Sequence, residues 1–318
     1  MASVSVRLRN KASGAVSAPA TASWSTDTPN PDYGRDLRTW VLKSGGQELV
    51  LPDGTYSAST INAGTAAAQH SQWLVLRATT PGGVVVNGFT MNGVSRVMFV
   101  GMRFTQRVQI LNGCDRLAFW YCEHSAPLNP DTRNGMQIFS GTNIRLLGMN
   151  LHDCSQDGLH ISGPAVTCRA EGYRVWNISA PAELNEHNDA YQTRSGSMEW
   201  DSGVFGLDDW GAPSGNGHVQ VQSDGGPAFV SFRNHWSTAS GNYGFTTDTK
   251  GTSNPAVITV DNVRSWGHQF GDAVGNGTFS AVTPLLGAPL PGEPPPDVVW
   301  RTANPYGSYA SWLSNSGL

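Results

Sequence analysis

The most constraining feature of this 318-residue sequence is a short motif that recurs every few dozen residues. A small residue preceded by Asn or Asp opens a short apolar strand, and a second strand follows. The openings are Asn134-Gly135-Met136-Gln137-Ile138, Asp157-Gly158-Leu159-His160-Ile161, Asp189-Ala190-Tyr191-Gln192-Thr193 and Asn216-Gly217-His218-Val219-Gln220. Their small residues lie 23, 32 and 27 residues apart. A loose repeat of this length that is built from strands predicts a solenoid.

The second strand of each repeat can be aligned as well as the first. Residues 97–104, 117–124, 144–151 and 168–175 match one another, so that positions 101, 121, 148 and 172 become equivalent. Apolar and polar residues alternate within these segments, which assigns one side of each strand to a core and the other to water. The register is therefore predicted to stay the same from coil to coil.

Composition agrees with stacked strands and turns. Gly (37) and Pro (19) are plentiful and charged residues make up only 14%, which leaves little material for long helices. One short helix is predicted over residues 36–43, with Asp36 at its first turn. We therefore predict an all-β solenoid over 35–280 with a short N-terminal capping helix. Residues 1–34 are predicted to be an arm and linker, and 281–318 a Pro-rich, aromatic tail.

Several classes of partner are not expected from this sequence. A net charge of −4 lacks the basic footprint of a nucleic-acid binder. The N-terminal residues lack the apolar core of a signal peptide, and no stretch approaches the roughly 18 apolar residues of a membrane span. The four cysteines, Cys114, Cys122, Cys154 and Cys168, show no CxxC spacing, so no metal cluster is expected. Two of them, Cys122 and Cys168, fall at predicted core positions.

The segment Leu51-Pro52-Asp53-Gly54-Thr55-Tyr56 follows the short helix and precedes the coils with Asn/Asp-Gly turns. In this it resembles the right-handed parallel β-helix proteins of the pectate-lyase-like superfamily, over about residues 45–280. The resemblance implies that fold, which hosts lyases, glycoside hydrolases, esterases and bacteriophage tailspikes and so does not choose a function. Because of its non-solenoid ends and its start without a signal peptide, the chain is most similar to a phage tailspike or minor tail protein.

That similarity implies a set of partners and a location. The protein would lie in the virion as part of the phage tail, contact other tail proteins, bind a host surface polysaccharide and form a homotrimer. A trimer would also shield the flanks and ends of a solenoid. A polysaccharide lyase or glycoside hydrolase and a purely structural tail component stay open as alternatives.

Two aspartates stand out as candidate catalytic residues. Asp157 and Asp189 occupy equivalent turn positions one coil apart, and such positions lie about 4.8 Å apart in a parallel ladder. Carboxylates this close repel, so one of them is expected to keep its proton to unusually high pH. Such a pair can supply an acid and a base for cleaving a glycosidic bond. The alternative is that both only form turns, as Asn134 and Asn216 would at the same position.

Polar residues surround this pair in the sequence. Alternation places Gln137, His160 and Gln192 opposite the apolar residues, as a polar ladder that would bind substrate. The loop before Asp189 makes its coil the longest, and long insertions on a solenoid edge often build binding sites. Within that loop Glu186 and His187 are further catalytic candidates.

Other substrate-binding candidates come from later positions. Asp208, Asp209 and Trp210 lie in a Gly-rich loop where an exposed indole could stack on a sugar. With His187-Asn188-Asp189 and Gly217-His218 they follow, in order, part of the pattern of polygalacturonase-like hydrolases, without its Gly-His-Gly and Arg-x-Lys.

A pectate-lyase-like mechanism would make different use of the same region. It would bind calcium through Glu183, Glu186 and Asp189 and use Arg194 as the base. Outside that mechanism Arg194 is a substrate-binding candidate. No cofactor is predicted outside that mechanism.

Overall fold

The structure is a computed structural model that describes residues 2–6, 20–24, 34–57, 60–62, 68–125, 135–178, 188–206, 217–238, 243–293 and 309–315. Within these ranges the helices are α1 (Leu37–Val41) and α2 (Tyr309–Asn315). The strands are β1 (Ala2–Val6), β2 (Ala20–Trp24), β3 (Gln47–Leu51), β4 (Gly54–Ser57), β5 (Ile61–Asn62), β6 (Gln69–Ala78), β7 (Val84–Asn92), β8 (Ser95–Val100), β9 (Arg103–Leu111), β10 (Cys114–Trp120), β11 (Glu123–Ser125), β12 (Met136–Ile138), β13 (Gly141–Thr142), β14 (Ile144–Leu147), β15 (Asn150–Cys154), β16 (Leu159–Glu171), β17 (Arg174–Ile178), β18 (Asp189–Phe205), β19 (Gly217–Gln222), β20 (Ala228–Thr238), β21 (Tyr243–Asp248), β22 (Ala256–Trp266), β23 (Gly271–Gly275) and β24 (Thr278–Ala281).

Strands β3 to β24 wind into a right-handed parallel β-helix, as the sequence predicted. Each coil has three sides, and in one coil these are β12, β14 and β15. Face 1 is the ladder of parallel strands that contains β12, face 2 the ladder that contains β14, and face 3 the ladder that contains β15. Long strands bend through the corners, so β18 contributes to all three faces. The only other sheet in the described ranges is the antiparallel pair β1 and β2, inside the predicted N-terminal arm.

The predicted register is correct for the second strands and for three of the four openings. Val97 pairs with Leu117, and Ile144 pairs with Cys168. On face 1, however, Asp189 pairs with Gly217, so our alignment of the fourth opening was wrong by one residue. Val219 and Val221 both point into the core there, and burial of alternate side chains fixes a register more strongly than the turn residue before the strand.

A single residue turns the chain between face 2 and face 3. Its backbone is left-handed, with φ between 48° and 65°, in the described coils at Gly101, Tyr121, Gly148, Gly172, Ser202, Asn234 and Asn262. Gly and Asn adopt this conformation most readily. The first four are the positions that the sequence alignment made equivalent. This corner therefore needs no loop, and coils of different length can keep the same register on both faces.

The interior is a stack of apolar and aromatic side chains. Phe99 packs on Phe119 with ring centroids 5.2 Å apart, and Trp200 stacks on Phe232 at 6.2 Å in later coils. Each fully buried side chain of this size contributes roughly 1.5–3 kcal/mol. Helix α1 closes the N-terminal end, and Asp36 accepts a hydrogen bond from the Arg38 N–H at 2.9 Å, as predicted for its first turn.

The outer side of face 2 is apolar in the early coils and is covered by the C-terminal helix. Trp312 of α2 is 3% exposed and packs with Val100, Trp120 and Trp73. The Tyr309 hydroxyl donates to Glu48 Oε2 at 2.5 Å. This part of the tail thus packs against its own chain.

The four cysteines are free and buried. Burial raises the pKa of Cys122 and of Cys168 to about 12, so these thiols stay protonated and unreactive at neutral pH. No helix in the described ranges combines the length and the apolar composition that crossing a membrane requires.

Substitution of the corner residue Gly148 tests the left-handed turn. The backbone at Gly148 has φ +64°, and a Cβ added there would lie 2.8 Å from the Tyr121 ring. The backbone at Gly113 has φ +71°, and a Cβ added there meets nothing within 4 Å. We expect Gly148→Ala to lower the free energy of unfolding by about 2–4 kcal/mol, from backbone strain plus overpacking. Gly113→Ala should cost only the strain, about 1–2 kcal/mol. Urea unfolding followed by tryptophan fluorescence measures both, and equal losses would contradict the packing argument.

Candidate functional site

A row of polar side chains runs along the outside of face 1. The strand pairings place five residues in register, namely Gln109, Gln137, His160, Gln192 and Gln220. Gln109 Nε2 donates to Gln137 Oε1 at 2.8 Å, and Gln192 Nε2 donates to Gln220 Oε1 at 2.5 Å. His160 therefore lies between two linked amide pairs.

The sequence identified three members of this row and missed two. Gln109 lies on β9, which was not among the four openings. Gln220 was displaced by the one-residue error in the fourth opening. The alternation of buried Val219 and Val221 around Gln220 was the signal that could have found it.

Asp157 holds the His160 ring from the turn before β16. Asp157 Oδ2 lies 3.1 Å from His160 Nδ1, while the side chains are 2% and 12% exposed. An ionised carboxylate can only accept, so the hydrogen of this contact is on Nδ1, and in the neutral tautomer that this favours the lone pair is on Nε2. This arrangement orients an imidazole as a base.

Asp189 lies next to Asp157 on the following coil. Its backbone N–H donates to Asp157 Oδ1 at 3.3 Å, and its Oδ2 has no hydrogen-bond partner among the described residues. Burial, and secondarily the negative charge of Asp157, raise the pKa of Asp189 well above its usual range. Asp189 therefore keeps its proton to higher pH than an ordinary aspartate does, beside the carboxylate of Asp157.

The two aspartates are more deeply buried than a pair that acts directly on a substrate. Asp157 and Asp189 are 2% and 4% exposed, and Asp157 also accepts a backbone N–H as a turn-forming residue would. The turn role and the role of orienting His160 are compatible. Of the three side chains, His160 extends furthest toward solvent.

Arg194 lies at an irregularity of β18 and faces a different carboxylate. Its guanidinium forms an ion pair with Asp224, with Nε 3.1 Å from Oδ1. The hydrogen bonds from Arg194 lower the pKa of Asp224. The sequence had grouped Arg194 with Asp189 as a possible lyase base, and in this structure its charge is neutralised by Asp224.

Other predicted site residues, Glu183, Glu186, His187, Asp208, Asp209 and Trp210, lie outside the described residues. The strands on either side of these intervals nevertheless show which corner of the coil the intervals connect. The intervals 126–134, 179–187, 207–216 and 239–242 each follow a face 3 strand and precede a face 1 strand. These connections therefore start and end at one corner of the coil, beside the polar row.

The described residues contain no group of three or more His, Cys, Asp or Glu side chains that could hold a metal ion. The calcium prediction uses Glu183 and Glu186, which lie outside this part of the chain. It stays a prediction.

Face 3 carries a titratable cluster that the sequence did not reveal. His152 Nε2 lies 3.0 Å from Glu123 Oε1, and Nδ1 lies 2.7 Å from Asp153 Oδ2. Trp176 stacks on the imidazole at 4.6 Å. Burial opposes the charged ring, but the hydrogen bonds to the two carboxylates outweigh it and raise the pKa of His152. Because both ring nitrogens are occupied, the cluster is better suited to holding adjacent coils together than to proton transfer.

Comparison with known proteins supports the fold. No protein-family model and no curated protein matches the sequence. Among solved structures, the pectate lyase Pel9A is 11% identical with a TM-score of 0.52, over 78% of this chain and 70% of that one. The periplasmic alginate epimerase AlgG is 8% identical with a TM-score of 0.51, over 77% of this chain but only 61% of the epimerase. Both similarities are to pectate-lyase-like β-helices, and at these identities they show the fold alone.

The protonated state of Asp189 gives a testable dependence of stability on pH. An unfolded Asp ionises near pH 3.9, whereas the folded Asp189 keeps its proton at higher pH, so wild-type stability is lost as pH rises above about 4. Asp189→Asn removes this loss. The variant should gain stability relative to wild type between pH 4 and pH 8, measured by urea unfolding at each pH.

Asp224→Asn is the control, and its effect on stability should have the opposite dependence on pH, because Arg194 lowers the pKa of Asp224. Asp224 contributes stability that is present above about pH 4 and is lost in acid, so its variant should be less stable than wild type only at the higher pH. A constant difference between Asp189→Asn and wild type over the whole range would contradict a protonated Asp189.

Proposed function

We propose that the protein binds a polysaccharide along face 1 and cleaves it with His160 as the general base. The observation that carries this proposal is the Asp157–His160 contact in the middle of the polar row. A buried carboxylate that fixes the tautomer of a more accessible imidazole is a recurring arrangement for proton transfer.

The row suits an extended, hydroxyl-rich ligand. Its five positions span four ladder steps, about 19 Å in all. Each Gln side chain offers both an acceptor oxygen and a donor NH₂, which match sugar hydroxyls. In this proposal Gln192 holds the reacting sugar against His160, while Gln137, which is buried, fixes Gln109 by accepting its Nε2–H.

His160 Nε2 accepts the proton, and Asp157 then stabilises the imidazolium through Nδ1–H. In hydrolysis the proton comes from the water that attacks the anomeric carbon, the glycosidic C–O bond breaks, and the leaving oxygen takes a proton from solvent. In elimination it comes from the sugar carbon next to a carboxylate, a carbon–carbon double bond forms, and the glycosidic oxygen leaves and takes a proton from solvent. Asp189 acts as a positioning residue, since its backbone N–H fixes the second oxygen of Asp157.

The similar structures support polysaccharide as the substrate class, since they are named as a pectate lyase and an alginate epimerase. Their low identities make this support a matter of fold and not of matched residues. The candidate residues Glu186, His187, Asp208, Asp209 and Trp210 would add contacts from the connections beside face 1.

Incubation with a panel of plant, algal and bacterial capsular polysaccharides tests the activity. New reducing ends without ultraviolet absorbance indicate hydrolysis, and new absorbance of unsaturated sugars indicates elimination. His160→Ala should lower the rate about 100-fold or more, the usual contribution of a general base. His152→Gln, which removes an imidazole of face 3, is the matched control and should keep the rate, with folding checked by circular dichroism.

An unchanged rate in His160→Ala would overturn the proposed role of His160. Binding of a polysaccharide without any product would leave an adhesin in place of an enzyme.

We also propose, from the sequence resemblance, that the protein is a homotrimeric tailspike or minor tail protein in a phage virion. Its partners would be other tail proteins and a host surface polysaccharide. Sedimentation equilibrium of the purified chain at micromolar concentration should give three times the mass of 33.9 kDa. A stable monomer would argue against it.

A further inference from the structure

We propose that the outer side of face 2 carries a second, non-catalytic binding site for a neutral oligosaccharide. A shallow pocket of about 230 Å³ opens there in the later coils. Face 2 and face 1 are different sides of the coil, so this site is separate from His160. The proposal does not depend on catalysis at face 1.

The floor of the pocket offers free hydroxyl groups. Ser231 and Thr259 pair with each other across adjacent strands and line the pocket. Neither side chain has a hydrogen-bond partner within the described ranges. Hydroxyls that are partly shielded and lack a protein partner can bond to the hydroxyls of a ligand.

The walls are charged, but the charges nearly cancel. Arg169 approaches Glu199 at 3.3 Å and Asp201 at 3.6 Å, and Arg233 also pairs with Asp201. Asp261 completes the lining. With two basic and three acidic side chains, the pocket has no net positive charge to attract an anionic polysaccharide. Paired carboxylates and guanidinium groups still offer acceptors and donors to a neutral sugar.

An exposed aromatic ring lies beside this polar pocket. Phe229 is 47% exposed and precedes Ser231 by two residues on β20, so both side chains point to the outside of face 2. The other large hydrophobic side chains that are exposed in the described ranges lie between residues 270 and 290, at the C-terminal end of the solenoid. A flat apolar ring next to hydrogen-bonding groups matches the apolar and polar sides of a pyranose.

Titration with cellohexaose, mannohexaose and maltohexaose, followed by NMR or calorimetry, tests the site, with an oligogalacturonate of equal length as the anionic comparison. At least one neutral hexaose should bind with a Kd of about 1 mM or tighter. Phe229→Ala, and separately the double variant Ser231→Ala/Thr259→Ala, should weaken that binding at least tenfold. Phe270→Ala, which removes an exposed ring elsewhere, and His160→Ala should leave it unchanged.

Three results would overturn the proposal. These are no binding of any neutral hexaose, binding that survives Phe229→Ala, and tighter binding of the oligogalacturonate at this site. Loss of hexaose binding in His160→Ala would instead assign the ligand to face 1. Failure of the face 1 activity alone would leave the face 2 site intact.

Discussion

The structure depends on one constraint, the parallel pairing of equivalent residues in successive coils. A slip of one residue would exchange the core side and the water side of a strand, so burial of alternate side chains fixes each coil to the one before it. The left-handed corner residue between faces 2 and 3, such as Gly148, keeps this register without a loop. Differences in coil length are therefore taken up at the other two corners, between face 1 and face 2, where the pairing of β16 with β18 shifts register, and between face 3 and face 1. As a consequence, the polar row of face 1 lies between the two corners at which coil length varies.

The chemistry of the candidate site follows from the same constraint. Pairing forces Asp157 and Asp189 onto adjacent coils, where burial and the nearby charge of Asp157 raise the pKa of Asp189. Asp157 then orients the imidazole of His160, which is three residues further along the same turn and strand. The position of Asp157 thus favours the Nδ1–H tautomer of an imidazole in the middle of the row. On face 3, by contrast, Glu123 and Asp153 occupy both nitrogens of His152, which stabilises the charged ring and leaves no lone pair for chemistry.

Much of the fold was predictable because alternation of apolar residues reports directly on burial. Helix α1, the strands of faces 1 and 2 and the row of Gln137, His160 and Gln192 all follow from it. The error at Asn216 arose where a turn residue was given more weight than the alternation after it. The Asp157–His160 contact depends on the conformation of a turn, and the Glu123–His152 contact joins residues 29 positions apart, so neither has a signal in a single sequence. The sequence also does not reveal that Arg194 is neutralised by Asp224, since that pairing depends on the irregularity within β18 and on the turn after β19.

The polar row exists only if face 1 has the register described above, and a distance between two spin labels tests that register most directly. Cysteines placed at Gln109 and Gln220 can be labelled selectively, because the four native cysteines are buried. Four ladder steps separate the two positions by about 19 Å, and pulsed electron paramagnetic resonance should give a distance within roughly 10 Å of that value once the label arms are included. A distance beyond about 40 Å, or a label at position 220 that cannot react because the side chain points into the core, would contradict the register and with it the polar row.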